Sequence, residues 1–234
     1  WGYINDYHNN MKLIAKLKPF VDPADDKEIT SKYLEPAEAQ KLLDYIKQDK
    51  SWHWYYATSI LILTGLRFGE LSALEIPDID TKNLTIRISK TYDSINDIVT
   101  TPKTDNSKRT IHIQPDLLLE LKKCLLWRNE MMLANNIRSG LLIPNVKTGE
   151  HMHIAGYEKY LRVTSEKLLG RRVTPHMLRH THASLLSANG MTPDEIARRL
   201  GHSKSAITSK IYIHVTQKVI ENDNRKIDQI KLFS

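Results

Sequence analysis

The sequence predicts an α+β domain, mainly α-helical, with a small three-stranded antiparallel sheet. Two observations carry this. Apolar residues recur at helical spacing through most of the chain, with Pro, Thr and Gly marking where segments start and stop. Residues 84–113 break that period: Leu84, Ile86 and Ile88 alternate with Thr85, Arg87 and Ser89, as in a strand. The length of 234 residues and a hydrophobic content of 41% suffice for a sizeable core.

The elements follow in order. Residues 1–29 read either as a frayed terminus or as the basic end of an upstream DNA-binding domain and its linker, punctuated by Pro19 and Pro23. The chain opens on Trp1 rather than Met, so a missing upstream domain is expected. The main domain is assigned to residues 30–215. Pro36 opens a helix whose apolar face is Ala39, Leu42, Leu43 and Ile46. Trp52 to Leu63 is apolar nearly all round, which predicts a buried helix ending at Thr64-Gly65. Gly65 and Gly69 then bracket Arg67 at a helix junction, with Glu70 one turn on. Residues 84–89, 97–101 and 109–113 are the three expected strands, with Asp105-Asn-Ser107 as a turn.

Pro115 opens a long helix to about Asn135, with Leu117, Leu118, Leu121, Leu125 and Met132 as its stripe. The single Cys124 lies on it and reads as a core thiol. A loop or short strand covers residues 141–153, and a further helix runs over residues 155–169. Thr174 and Pro175 are a good N-cap and first residue for the next helix, which places His176 and Arg179 on one face near its positive end. Such an end suits a phosphate. Thr192-Pro-Asp-Glu195 reads as a capping box for a helix ending at Leu200-Gly201, with His202 at its exit. Tyr212 follows in an apolar segment, after a stretch, Ser203 to Lys210, expected to be polar and mobile. Residues 216–234 form an amphipathic tail that folds back or packs on a neighbouring protomer.

The net charge of +7 and pI of about 9.3 suit a polyanionic partner. With one cysteine there is no internal disulfide, and a reducing compartment is expected. No run resembles a signal peptide, and the most apolar one, Tyr55 to Leu66, is too short to cross a bilayer. No metal or cofactor is expected. His151 and His153 lack partners at zinc spacing, and Glu70, Asp194 and Glu195 are too scattered for a two-metal site.

Together, Gly65-Leu-Arg67-Phe-Gly-Glu70-Leu, Pro102-Lys103-Thr104 with Ser107, Arg109 and Ile111, His176-Met-Leu-Arg179, Leu200-Gly-His202 and Tyr212-Ile-His214 resemble the tyrosine recombinase (phage integrase) family. The resemblance covers about Thr30 to Val215. It implies a catalytic set of Arg67, Lys103, His176, Arg179, His202 and Tyr212, with Tyr212 as nucleophile. It also implies supporting roles for Glu70 and His214. Lys103, carried on the sheet, would protonate the leaving 5′-oxygen, and His176 would be base or proton relay. Lys108, Arg109, Arg171 and Arg172 are candidates for DNA-backbone contacts, the last two being equally a solvated basic turn.

The implied function is site-specific DNA recombination by an integrase of a mobile element, in the bacterial cytoplasm on DNA. The partners implied are double-stranded attachment sites, three further protomers in a tetramer on DNA (a monomer when free), and an excisionase or bending protein. Two other readings stand beside it. One is a Xer-type resolvase of the same family. The other is a non-catalytic regulator, because Pro193 to Ile213 resembles a helix-turn-helix.

Overall fold

The computed structural model describes residues 29, 31–101, 107–201 and 206–228, and within the last segment the side chains of residues 209–221. The expectations for residues 1–28, for Lys103 and for His202 lie outside the described residues. Eight α-helices are described: α1 (Pro36–Gln48), α2 (Trp52–Thr64), α3 (Phe68–Ser72), α4 (Pro115–Ala134), α5 (Ile154–Leu169), α6 (Pro175–Ala188), α7 (Pro193–Leu200) and α8 (Ala206–Asp228). Among the described residues no helix is long and apolar enough to cross a membrane.

The core is built around α2, against which α1, α4 and α6 all pack. A helix apolar on every side can sit only in such a place. Ile60 and Leu61 are fully buried there, each contributing about 1.5–3 kcal/mol by leaving water. Cys124 on α4 is also fully buried, and burial pushes its thiol pKa up, so it is a core group. Helix α8 closes the far side, packing on α6 and α7.

Gly65 ends α2 with φ of 67°, in the left-handed region. A Cβ there would lie 2.5 Å from Leu200 Cδ2 and 2.7 Å from His182 Cδ2. Gly65→Ala is therefore expected to cost about 2–5 kcal/mol, from the left-handed backbone and the crowding together. Urea unfolding checks this, and a loss under 1 kcal/mol would mean that α6 and α7 yield easily.

The strands differ in one respect from the sequence reading. Strands β1 (Ile79–Asp80), β2 (Thr85–Ile88) and β5 (Arg109–His112) form a three-stranded antiparallel sheet, ordered β1-β2-β5, in which β1 takes the place expected for residues 97–101. Its register sets Ile86 opposite Ile111 and Ile88 opposite Arg109. Residues 98–100 are not its third strand. They form β4 (Ile98–Thr100), which pairs with β3 (Thr91–Asp93) in a separate hairpin. Two local features explain this. Asp93 Oδ1 accepts from the Ile95 amide at 2.9 Å, which folds the chain back early. Gly69 gives β3 its seat, since a Cβ there would stand 2.6 Å from Thr91 Oγ1 and 2.7 Å from the Tyr92 carbonyl. The segment with Lys103 thus joins strands of two different sheets.

The C-terminal part differs too. Tyr212 and the start of the expected tail belong to one continuous helix, so no break falls between residues 215 and 216. Residues 206–210 are already helical, where a mobile stretch was expected. Ile211 and Val215 bury themselves against Ile29 and Tyr33, and Lys218 pairs with Glu35 at 2.7 Å.

Candidate active site

Arg67 is the N-cap of α3. The chain leaves α2 through Gly65 and re-enters a helix at Phe68, and this corner turns the Arg67 side chain, 38% exposed, outward. Glu70 holds it from beneath. Its Oε2 accepts from the Arg67 amide at 2.9 Å and its Oε1 from Arg67 Nη1 at 3.0 Å. Glu70 thus contacts both the backbone and the guanidinium of Arg67. Burial works against the Glu70 charge, but hydrogen bonds from Arg109 and the Arg109 charge outweigh it, and the pKa is lowered.

Helix α6 begins as its sequence requires. The Thr174 hydroxyl accepts from the Met177 amide at 3.3 Å and Pro175 takes the first position. His176 then stands exposed at the helix start, and Arg179 one turn on is only 1% exposed. The Arg179 guanidinium donates to the Gly65 carbonyl at 2.5 Å and to the Leu200 carbonyl at 2.6 Å. It therefore binds the corner before Arg67 to the end of α7, two residues short of His202. Burial, then the Arg67 charge, pull its pKa down to about 9, partly opposed by Glu70, so it stays charged at neutral pH. His176 is held below the ordinary imidazole value by its surroundings, then by Arg179 and Arg67, which favours the neutral ring that a base requires.

Arg67, His176 and Arg179, from two distant parts of the sequence, line one groove of about 670 Å³. The β3–β4 hairpin forms its other wall, with Tyr92 and Ile95. Tyr212 is not among the described residues that line it. Its ring is partly buried against Ala183, Ile196 and Leu200. His214 is 3% exposed, with its ring edge-on to Tyr33 at 6.2 Å.

The four backbone-contact candidates divide. Lys108 and Arg172 are exposed. Arg171 donates to Glu38 at 2.6 Å and to the Tyr33 carbonyl at 2.8 Å, so it fastens the segment before α1 to the end of α5. Arg109 is turned inward, 6% exposed, with its guanidinium on Glu70. A strand of period two puts Arg109 on the face opposite Thr110, but nothing in the sequence said that Glu70 would be waiting there.

Two features escaped the sequence reading. The hairpin wall is one, pinned by Tyr92 donating to Asp97 at 2.6 Å and stacking on His151 at 4.4 Å. Arg199 is the other. It donates from Nε to His182 Nε2 at 3.0 Å and reaches the His112 carbonyl at 3.3 Å. Arg198-Arg199 is a basic pair at a helix end, and only the burial of Ile196 and Leu200 says which of the two faces inward.

His180 and His182 are buried, and His182 is bonded within the core. An arginine Nε can only donate, so His182 Nε2 accepts, and Nδ1 carries the proton that goes to the Ile62 carbonyl at 2.8 Å. Burial first, then nearby cations, push His182 down to about 3 and His180 to about 4. Both pKa values lie below that of an unfolded histidine. The unfolded chain therefore binds more protons once the pH drops below about 6.5. Stability should be full above that pH and fall towards pH 4, by up to about 1.4 kcal/mol per pH unit for each group. Urea midpoints at pH 7 and pH 5 test this, and equal midpoints would sink the neutral assignment.

Comparison with known proteins places this architecture. The sequence profile described as "Phage integrase family" matches residues 32–218. The chain is 31% identical over 245 residues to the integrase of Staphylococcus phage L54a, covering 98% of this chain and 69% of that one. It is 28% identical over 204 residues to the transposase of transposon Tn916 from Enterococcus faecalis, covering 82% of this chain but 50% of that protein. The integrase of transposon Tn1549, solved with transposon right end DNA, matches with a TM-score of 0.65 at 24% identity. That match covers 90% of this chain and 69% of the Tn1549 chain, and at this identity it speaks for the fold.

Proposed function

The chain belongs to the phage integrase family, and on that premise we propose that it is the cleaving and rejoining part of a site-specific recombinase that integrates and excises a mobile element. The observation that carries this is the convergence of Arg67, His176 and Arg179 on one groove. Two guanidiniums and an imidazole gathered from separate elements make a seat for a phosphodiester.

The reaction follows from the charges. The Tyr212 hydroxyl oxygen attacks the scissile phosphorus. The bond from phosphorus to the 5′-oxygen breaks, the DNA 3′-phosphate becomes joined to Tyr212, and the 5′-hydroxyl leaves. Attack by a second 5′-hydroxyl reverses these steps on a new partner, so the bond is conserved and no ATP is consumed. Arg67 and Arg179 meet the charge that builds on the non-bridging oxygens, with His202 as a third donor. His176 takes the phenolic proton or relays it, and Lys103 gives one to the leaving oxygen. Lys108 and Arg172, both exposed, meet the backbone of duplex DNA, so affinity falls steeply with salt. A tetramer on paired sites brings the four strands together, with accessory bending or excision factors setting direction.

The likeness to a phage integrase and a transposon transposase supports a mobile-element substrate over a chromosomal one. The regulator reading fits less well, because Ile211, His214 and Val215 are buried and α8 is not free to enter a groove as a recognition helix.

Covalent trapping tests the proposal. The protein is incubated, with EDTA, with nicked suicide duplexes carrying the element's attachment sequence. A denaturing gel and mass spectrometry should then show DNA bonded to Tyr212. Salt-sensitive binding with no covalent product from a version that includes any upstream domain would favour a binding protein without chemistry.

A further inference from the structure

We propose that Arg109 is a positioning residue for strand cleavage: paired with Glu70, it leaves the Arg67 charge available to the phosphate and fastens three catalytic segments to one another. This rests on the recombinase reading above. Arg109 Nη1 lies 3.0 Å from Glu70 Oε1, and Nη2 lies 2.9 Å from Oε2. That is a two-point fork, the geometry a guanidinium offers and an ammonium does not. With the Arg67 amide and Arg67 Nη1, the Glu70 carboxylate accepts four hydrogen bonds.

The charge count explains the arrangement. Glu70 must touch Arg67 to orient it, and the Glu70 side chain is only 2% exposed. A buried carboxylate facing one guanidinium would neutralise it and draw it inward. Within this trio a second guanidinium beside the same carboxylate leaves one positive charge over, next to that of Arg179, and the more exposed of the two on Glu70 carries it into the groove. The exposures fit: the Arg67 side chain is 38% exposed and lines the groove, while the Arg109 side chain is 6% exposed and does not.

Arg109 spends its other donors on structure. Its Nε donates to the Arg199 carbonyl at 2.8 Å, and Nη1 also reaches the Ser107 carbonyl at 3.1 Å. Arg199 stands three residues before His202, and Ser107 four after Lys103. One side chain thus joins the Arg67 corner, the strand after Lys103 and the helix end before His202.

The test is a double-mutant cycle on the full chain, reading the cleavage rate at saturating suicide substrate and the DNA affinity against salt. Arg109→Gln should slow cleavage roughly 10–100-fold, less than the ~10²–10³ for losing a donor that touches the reacting oxygens. Affinity and its salt slope should hardly change. In a Glu70→Gln background the same substitution should cost less, about 3–10-fold, because the charge to be balanced is gone and only the two carbonyl contacts remain to be lost. Should Arg109→Gln fail to fold, Arg109→Lys replaces it in both arms, with the same expectation and a smaller loss. Equal losses in both backgrounds would overturn the inference. So would a salt slope reduced by about one phosphate contact, which would return Arg109 to the DNA backbone. If wild type itself forms no covalent product, it is the recombinase reading that fails.

Discussion

Tyr212→Phe is expected to abolish the covalent protein–DNA product while leaving the fold intact. The ring packs against Ala183, Ile196 and Leu200, and phenylalanine keeps every one of those apolar contacts. Removing one oxygen from a partly buried position should change stability by less than about 1 kcal/mol. Duplex binding should survive as well, since it draws on backbone contacts across the domain. The chemistry has no substitute, because without the phenolic oxygen no phosphotyrosyl bond can form. Trapping, urea unfolding and a mobility-shift assay on one preparation separate these effects. A residual covalent band of wild-type intensity would move the nucleophile elsewhere, and loss of binding together with the band would mean that the side chain holds the fold.

Arg179 should behave differently, losing chemistry and stability together. Its guanidinium serves the Gly65 and Leu200 carbonyls from a position 1% exposed. Arg179→Ala leaves both acceptors buried without that donor, at about 1–3 kcal/mol each. A total loss of about 3–5 kcal/mol is expected once the emptied space is included. That is a large part of the ~5–15 kcal/mol that holds a domain folded. Arg179→Lys is the sharper variant. It keeps the charge but cannot span two carbonyls and a phosphate oxygen at once. Cleavage should fall by about 10²–10³, with a smaller stability loss of about 1–3 kcal/mol. Rates within 3-fold of wild type for Arg179→Lys would reduce Arg179 to a generic positive charge.

The sequence exposed the helices and hid the side-chain traffic between them. Caps at Thr174 and Thr192, the all-apolar run of α2 and the glycine stops follow from local rules, and the structure has them where those rules put them. The family motifs brought Arg67, His176 and Arg179 forward, and the fold sets them in one groove. Pairing of strands was harder. Residues 98–100 could have joined either β3 or β5, and an aspartate turn together with a glycine seat on α3 decided it. The inward arginines were out of reach for the same reason. Arg109, Arg171 and Arg199 meet acceptors 39, 133 and 87 residues away. A basic residue near a DNA-binding motif looks like a DNA contact until its long-range partner is known.

One consequence follows from α8 running unbroken from Ala206 to Asp228. An α-helix resists local stretching and twisting, so Tyr212 and the helix end move as one rod. From Tyr212 to Asp228 that rod measures about 24 Å at 1.5 Å per residue. Ile211 and Val215, clamped on Ile29 and Tyr33, act as its fulcrum, close beside the tyrosine. The arms are unequal. A swing of ~10° carries the far end ~3–4 Å but shifts the phenolic oxygen by only ~1 Å. Such a lever gears a coarse displacement at the tail down to the scale on which reactivity is decided, where a 1 Å misplacement can cost ~10²-fold. Whatever grips the exposed Val219 and Ile220, on the tail side of that fulcrum, therefore has its hand on the proposed nucleophile.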